Sequence, residues 1–150
     1  MNINHSVHFD PENKIIKLCA EGMMAEGKGE METAKNLFLL AWNESESDIE
    51  KFTSAHFVAR HQENVSDKLK WDEIALEMAS RINDESIKTS FPSLYLNIGK
   101  CYEDLNDFDL AKENYYLAES YIEFLSDDGY GKMIRSGILS GLERMKHSFR

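Results

Sequence analysis

The chain is poor in the residues that staple, break or anchor a fold. Two cysteines in 150 residues cannot build a disulfide framework, and Cys19 and Cys101 stand alone on helix-like stretches, as thiols in a reducing compartment do. Two prolines and eight glycines exclude collagen-like and low-complexity composition. No stretch approaches the roughly 18 uninterrupted apolar residues of a membrane helix, and Met1 to Asp10 lacks the basic start and apolar run of a secretory leader. Excess positive charge is lacking too. A formal charge of −10 makes the average surface repel phosphate, which disfavours broad nucleic-acid or anionic-membrane binding and favours basic or neutral protein partners. A cytoplasmic protein is expected.

What is present is helical periodicity over a length sufficient for a core without metal or disulfide support. Tyr95, Ile98, Tyr102 and Leu105 recur at three- and four-residue steps, as do Ala111, Tyr115, Ala118, Ile122 and Leu125, the signature of amphipathic helices. The link Leu105-Asn106-Asp107-Phe108 is short and polar, so its helices must be antiparallel neighbours. Gly99 and Ala111 are expected to face each other near that turn and let the backbones approach.

The same grammar recurs. Gly22 lies twelve residues before Ala34, which is followed by Phe38 and Ala41; Gly99 lies twelve before Ala111, which is followed by Tyr115 and Ala118. Between them Ala59 lies twelve before Trp71, followed by Ala75 and Met78, with large and small side chains exchanged. Gly137 begins a half repeat. A hairpin of this size cannot bury its outer face alone and stacks on copies of itself.

These residues resemble the tetratricopeptide (TPR) repeat. Ile98-Gly99, Tyr102, Ala111, Tyr115 and Ala118 occupy its pattern, with Glu123 at the place of its closing proline. Gly22, Ala34, Phe38 and Ala41 match in the first copy, where Ala25 replaces the first-helix aromatic and Glu21 the large apolar residue. The resemblance covers roughly Ile15 to Leu142. The middle copy stands about forty residues from the third, against about thirty-four in the family, which implies a longer loop near Asn83 to Ser90.

The expected fold is all-α: an α–α superhelix of stacked antiparallel hairpins with about seven helices, near 12–26, 31–45, 48–63, 67–82, 87–105, 108–125 and 130–147. Residues 1–11 form a flexible N-terminal segment carrying His5 and His8, and 12–150 a single TPR-like domain. The last helix caps the array with Met133, Ile134, Ile138 and Leu142 inward, while Lys132, Arg135, Glu143, Arg144 and Lys146 stay wet. Trp42 and Trp71 are expected between neighbouring hairpins.

The resemblance implies a non-enzymatic interaction module whose first helices line a concave groove for a protein or peptide. Its register places Cys19, Met23 and Glu26, then Thr53, His56, Arg60 and Glu63, then Leu96, Lys100 and Glu103 on that lining, with Asn97 and Arg135 nearby. The partner-binding set is His56, Arg60, Glu63, Asn97, Lys100, Glu103 and Arg135. Cys19, Met23 and Phe57 depart from the lysine and asparagine clamp of chaperone-binding members. Arg60, Lys100 and Arg135 offer directed donors to an acidic partner. A small-molecule or peptide-signal sensor using the same groove is the alternative, an enzyme is a distant third, and homo-oligomerisation through an exposed flank stays open.

Chemistry-bearing motifs are absent. His56 and His61 are five residues apart, about 140° around a helix, and share no metal easily; no His-Glu-x-x-His run occurs. Gly129-Tyr130-Gly131-Lys132 lacks the strand, glycine spacing and hydroxyl residue of a phosphate loop and reads as a helix start capped by Asp127 or Asp128. No cofactor and no metal are expected.

Overall fold

The computed structural model describes residues 10–147; the N-terminal segment with His5 and His8 lies largely outside the described residues. Seven α-helices and no strands occur among them: α1 Lys14–Gly27, α2 Met31–Glu44, α3 Asp48–Ala59, α4 Val65–Ser80, α5 Phe91–Asp104, α6 Phe108–Ser120 and α7 Gly129–Lys146. Two short 3-10 segments, Glu85–Ser90 and Ile122–Phe124, join them. The all-α class and the packing of consecutive helices in pairs are as the repeat spacing requires. No described helix is long and apolar enough to cross a membrane.

Local signals set the helix starts. Asn13 accepts from the amides of Ile15 and Ile16 at the head of α1 and donates to Glu50 at 2.8 Å, tying it to α3. Ser47 and Glu50 form a reciprocal capping box on α3, Asn64 caps α4 and Asp107 caps α6. Asp128 accepts from Gly131 N at 2.9 Å, so the Gly-Tyr-Gly-Lys run is a capped helix start. Asn106, with φ of 65°, makes the left-handed turn between α5 and α6.

Some boundaries differ from the expected ones. The third helix ends at Ala59 rather than 63, because the Arg60 amide turns back to the Phe57 and Val58 carbonyls. The expected loop before the fifth helix contains the 3-10 segment Glu85–Ser90, and the α-helix starts at Phe91 with Pro92 in its first turn, where proline's missing N–H costs nothing. The sixth helix stops at Ser120 rather than 125.

The chain divides into two compact units after Asp84. In the first, the hairpins α1–α2 and α3–α4 stack through α2 on α3 and α1 on α3. Its core holds Ile15, Cys19, Ala25, Ala34, Phe38, Ala41 and Val58, flanked by Trp42 and Trp71, whose rings meet edge to face at 5.1 Å. Both indoles are partly buried between the hairpins.

In the second unit α5 and α6 form a hairpin, and α7 packs on both. Ala111, Tyr115 and Met145 form one core cluster; Ala118, Ile134 and Ile138 form another. The capping helix buries Gly131, Ile134, Ile138, Gly141 and Met145. Two expectations for it are corrected. Met133 is 61% exposed, because one residue's step of about 100° turns it away from Ile134. Arg144 reaches back to α5 instead of remaining in solvent.

Small residues sit where rings cross. A Cβ on Gly22 would lie 2.7 Å from Phe38 Cζ, and one on Gly99 would lie 2.9 Å from Tyr115 Cδ1 and 3.3 Å from the Ala111 carbonyl oxygen. The pairs Gly22/Phe38 and Gly99/Tyr115 share one interval. In the degenerate copy the same interval joins Ala59 and Ala75, both buried.

Candidate functional site

In the first unit, the C-terminal ends of α1 and α3 bring together a polar group. Glu26 accepts from Arg60 Nη2 through Oε1 and bonds His61 Nε2 through Oε2 at 2.6 Å. Arg60 follows α3 directly, with its guanidinium 4.9 Å above the Phe57 ring. Phe57 stacks on Phe38 at 4.9 Å, and the His61 ring tilts against Phe38 at 5.4 Å. His56 meets Phe57 edge to face at 5.2 Å.

Charges in this group are strongly conditioned. Burial of Glu26 opposes its ionisation, but the hydrogen bonds from Arg60 and His61 outweigh it and hold the carboxyl below its ordinary value. Burial, then the neighbouring Arg60 charge, push the His56 imidazole below its usual 6.5, so it is neutral at pH 7. The Arg60 side chain remains 43% exposed. A planar donor fork over an aromatic ring, held by one carboxylate and open to solvent, suits a carboxylate ligand.

The remaining predicted positions spread across both units. Cys19 and Thr53 are buried, and the Thr53 hydroxyl donates to the Ile49 carbonyl, so neither offers a free group. Glu63 is exposed in the turn before α4. Met23 and its neighbour Met24 are both exposed. In the second unit Asn97 is half-buried on α5. Lys100 is exposed and paired with Asp104 at 2.6 Å. Leu96 lies against α7, 3.0 Å from where a Cβ on Gly137 would stand.

Glu103 is occupied by its own neighbours. It accepts from Tyr115 OH at 2.5 Å and from Arg144 Nε and Nη2 at 2.7 and 3.0 Å. This triad joins α5, α6 and α7. Arg135 is half-buried on α7, and no carboxylate lies within 4.0 Å of it among the described residues. The structure therefore brings His56 and Arg60 together with Glu26 and His61, gives Lys100 and Glu103 local partners, and leaves Arg135 without one.

Two participants lie outside the set that the sequence singles out. His61 belongs to the α1–α3 group through Glu26, which lies 35 residues away, a separation no local pattern reports. Lys132 shares the outer face of α7 with Arg135 and lacks a carboxylate partner among the described residues in the same way. Its signal is a lysine three residues before an arginine on a helix. Among the described residues no group of three histidine, cysteine, aspartate or glutamate side chains could hold a metal ion.

No protein-family model matches the chain, and no curated protein is significantly similar to it.

Proposed function

We propose that this chain is a TPR-like, non-enzymatic interaction module that binds an acidic segment of another protein along its first helices. The observation that carries the reading is the exposed Arg60 guanidinium over Phe57, at the end of a helix that packs beside α1. Exposed donors above an aromatic face recognise carboxylates by direction as well as by charge. The repeated Gly22/Phe38 and Gly99/Tyr115 packing supports the TPR-like assignment. His56 and Glu63 accompany Arg60 in the proposed set of the first unit, and Asn97, Lys100, Glu103 and Arg135 make up the proposed set of the second, where Glu103 acts by holding Arg144 and Tyr115 in place. Two buried, unbridged thiols accord with a cytoplasmic setting.

Fluorescence anisotropy against peptides rich in aspartate and glutamate tests the reading. Acidic peptides should bind more weakly as salt rises, and Arg60→Ala should reduce the affinity about tenfold or more while the far-ultraviolet melt stays nearly unchanged. Equal binding by the variant refutes the assignment of Arg60.

A further inference from the structure

The last helix separates the charge of the chain. From Gly129 to Arg150 five basic residues (Lys132, Arg135, Arg144, Lys146 and Arg150) accompany one acid, Glu143, a balance of +4; the preceding 128 residues carry 12 basic and 26 acidic residues, a balance of −14. Within the second unit most cations are already satisfied: Lys88 by Glu85, Lys100 by Asp104, Arg144 by Glu103 and Lys146 by Glu143. Lys132 and Arg135 are exceptions. Neither has a carboxylate within 4.0 Å among the described residues, although the chain is acidic overall.

The same face also exposes two apolar side chains. Met133 is 61% and Leu139 49% exposed, and a shallow depression is lined by Lys132, Arg135, Ser136, Leu139, Ser140 and Glu143. Ser136 and Ser140 are one turn apart between the larger side chains, leaving room for close approach of a second helix. Unpaired cations beside exposed apolar anchors are what a helix-in-groove contact requires on one side.

We propose that the outer face of α7 is a docking surface for an amphipathic helix of another protein, one that carries glutamates or aspartates beside leucine-like anchors. Charge complementarity selects this occupant. The carboxylates would meet Lys132 and Arg135, and the anchors would cover Met133 and Leu139. A nucleic acid or an anionic bilayer would have to approach a chain bearing −14 before Gly129, for the sake of two cations without a carboxylate partner among the described residues. Residues Met1–Phe9 contain no acidic side chain and lack the charges this face calls for. The proposal extends beyond the first-helix reading and does not depend on it; because Arg135 belongs to both, the test is carried by Lys132, Met133 and Leu139.

The probe is a fluorescent peptide about 18 residues long, matched to α7, with leucines on one helical face and glutamates flanking them. Full-length protein should bind it, and binding should fall about tenfold or more in Lys132→Glu and in the Met133→Ser/Leu139→Ser pair. Helicity by circular dichroism should be unchanged, and the same losses should appear when these substitutions are made on an Arg60→Ala background, which separates this face from the first-helix reading. A peptide with glutamine replacing every glutamate should bind at least about tenfold more weakly. The proposal is overturned if the peptide does not bind, if the α7 variants bind it equally, or if the glutamine peptide binds as well. It is also overturned if phosphatidylserine vesicles or duplex DNA compete for the same residues more strongly than the peptide. Finally, sedimentation showing self-association that Leu139→Ser abolishes would make a second copy the occupant and overturn the assignment to a foreign helix.

Discussion

Arg144 grips Glu103 across 41 residues of sequence, with Nε and Nη2 placed 2.7 and 3.0 Å from the two carboxylate oxygens. The contact ties α7 to α5, and Tyr115 OH, donating to the same carboxylate, adds α6. Burial and the adjacent carboxylate raise the Tyr115 phenol well above its ordinary value, so it stays a donor at any ordinary pH. Removing the guanidinium leaves a mostly buried carboxylate with two hydrogen bonds fewer. Arg144→Ala should therefore destabilise the protein by about 1 to 2 kcal/mol, the lower part of the range for charge-assisted bonds because its side chain is 45% exposed and screened. Urea unfolding measures it.

The same carboxylate makes stability depend on acidity. Hydrogen bonding from Arg144 is the largest influence on Glu103, and together with Tyr115 it outweighs burial and lowers the folded pKa below the ordinary 4.5. A group with a depressed folded pKa contributes stability above its unfolded pKa and loses it as pH falls through the folded value. The native protein should thus lose stability progressively below about pH 4.5. Glu103→Gln should be less stable at pH 7 and show a shallower acid dependence between about pH 5 and 3. Parallel slopes for the two proteins would remove Glu103 from the account.

Glycine positions offer a test of the repeat packing. An added methyl on Gly22 meets the fully buried Phe38 ring more closely than one on Gly99 meets Tyr115. Overpacking costs about 1 to 3 kcal/mol, and alanine returns about 1 kcal/mol of helix propensity. Gly22→Ala should be clearly destabilising and Gly99→Ala less so. Gly27, with nothing within 4 Å of where an alanine methyl would stand, should tolerate the substitution without loss. Equal melting temperatures for all three variants would mean that the rings do not depend on the small residues beneath them.

The pattern of small and large residues carries this much of the fold because it is local: one interval places Phe38 on Gly22 and Tyr115 on Gly99. Helix ends are legible where a cap stands, as at Asp128, and illegible where the chain merely tightens, as from Arg60 onward. Faces blur at single-residue resolution, so the periodicity groups Met133 with its inward neighbour Ile134. Nothing in the residues around Arg144 announces Glu103, because a long-range ion pair has no period. The candidate site shares that weakness. Arg60 can be read from its register, whereas its restraint by Glu26 depends on how α1 and α3 pack.

Cysteine reactivity reports core integrity. Burial pushes the Cys19 thiol up to about 11, and Cys101 is buried as well. The thiolate is the reactive species, so at about pH 8 native protein should react slowly or not at all with an aromatic disulfide reagent. Both thiols should react after denaturation. Rapid labelling of native Cys19 would contradict the packing of α1 on its neighbours.

Glu26 makes the binding reading falsifiable in two directions. It is the carboxylate that Arg60 already holds, and it stays ionised at pH 7 because Arg60 and His61 depress its pKa. An acidic ligand must share or displace it. Arg60→Ala should therefore weaken an acidic peptide, whereas Glu26→Gln, which removes the internal competitor and keeps the shape, should strengthen it. The gain should shrink as salt rises, since screening weakens the attraction between exposed charges. Glu26→Gln also costs stability by leaving His61 and Arg60 without their anion, so peptide titration must be read beside a melt at the same pH. Tighter binding by a folded Glu26→Gln protein, lost again when Arg60→Ala is added, would identify the guanidinium as the group that meets the partner. Weaker binding in Glu26→Gln would mean that Glu26 positions Arg60 rather than competing for it.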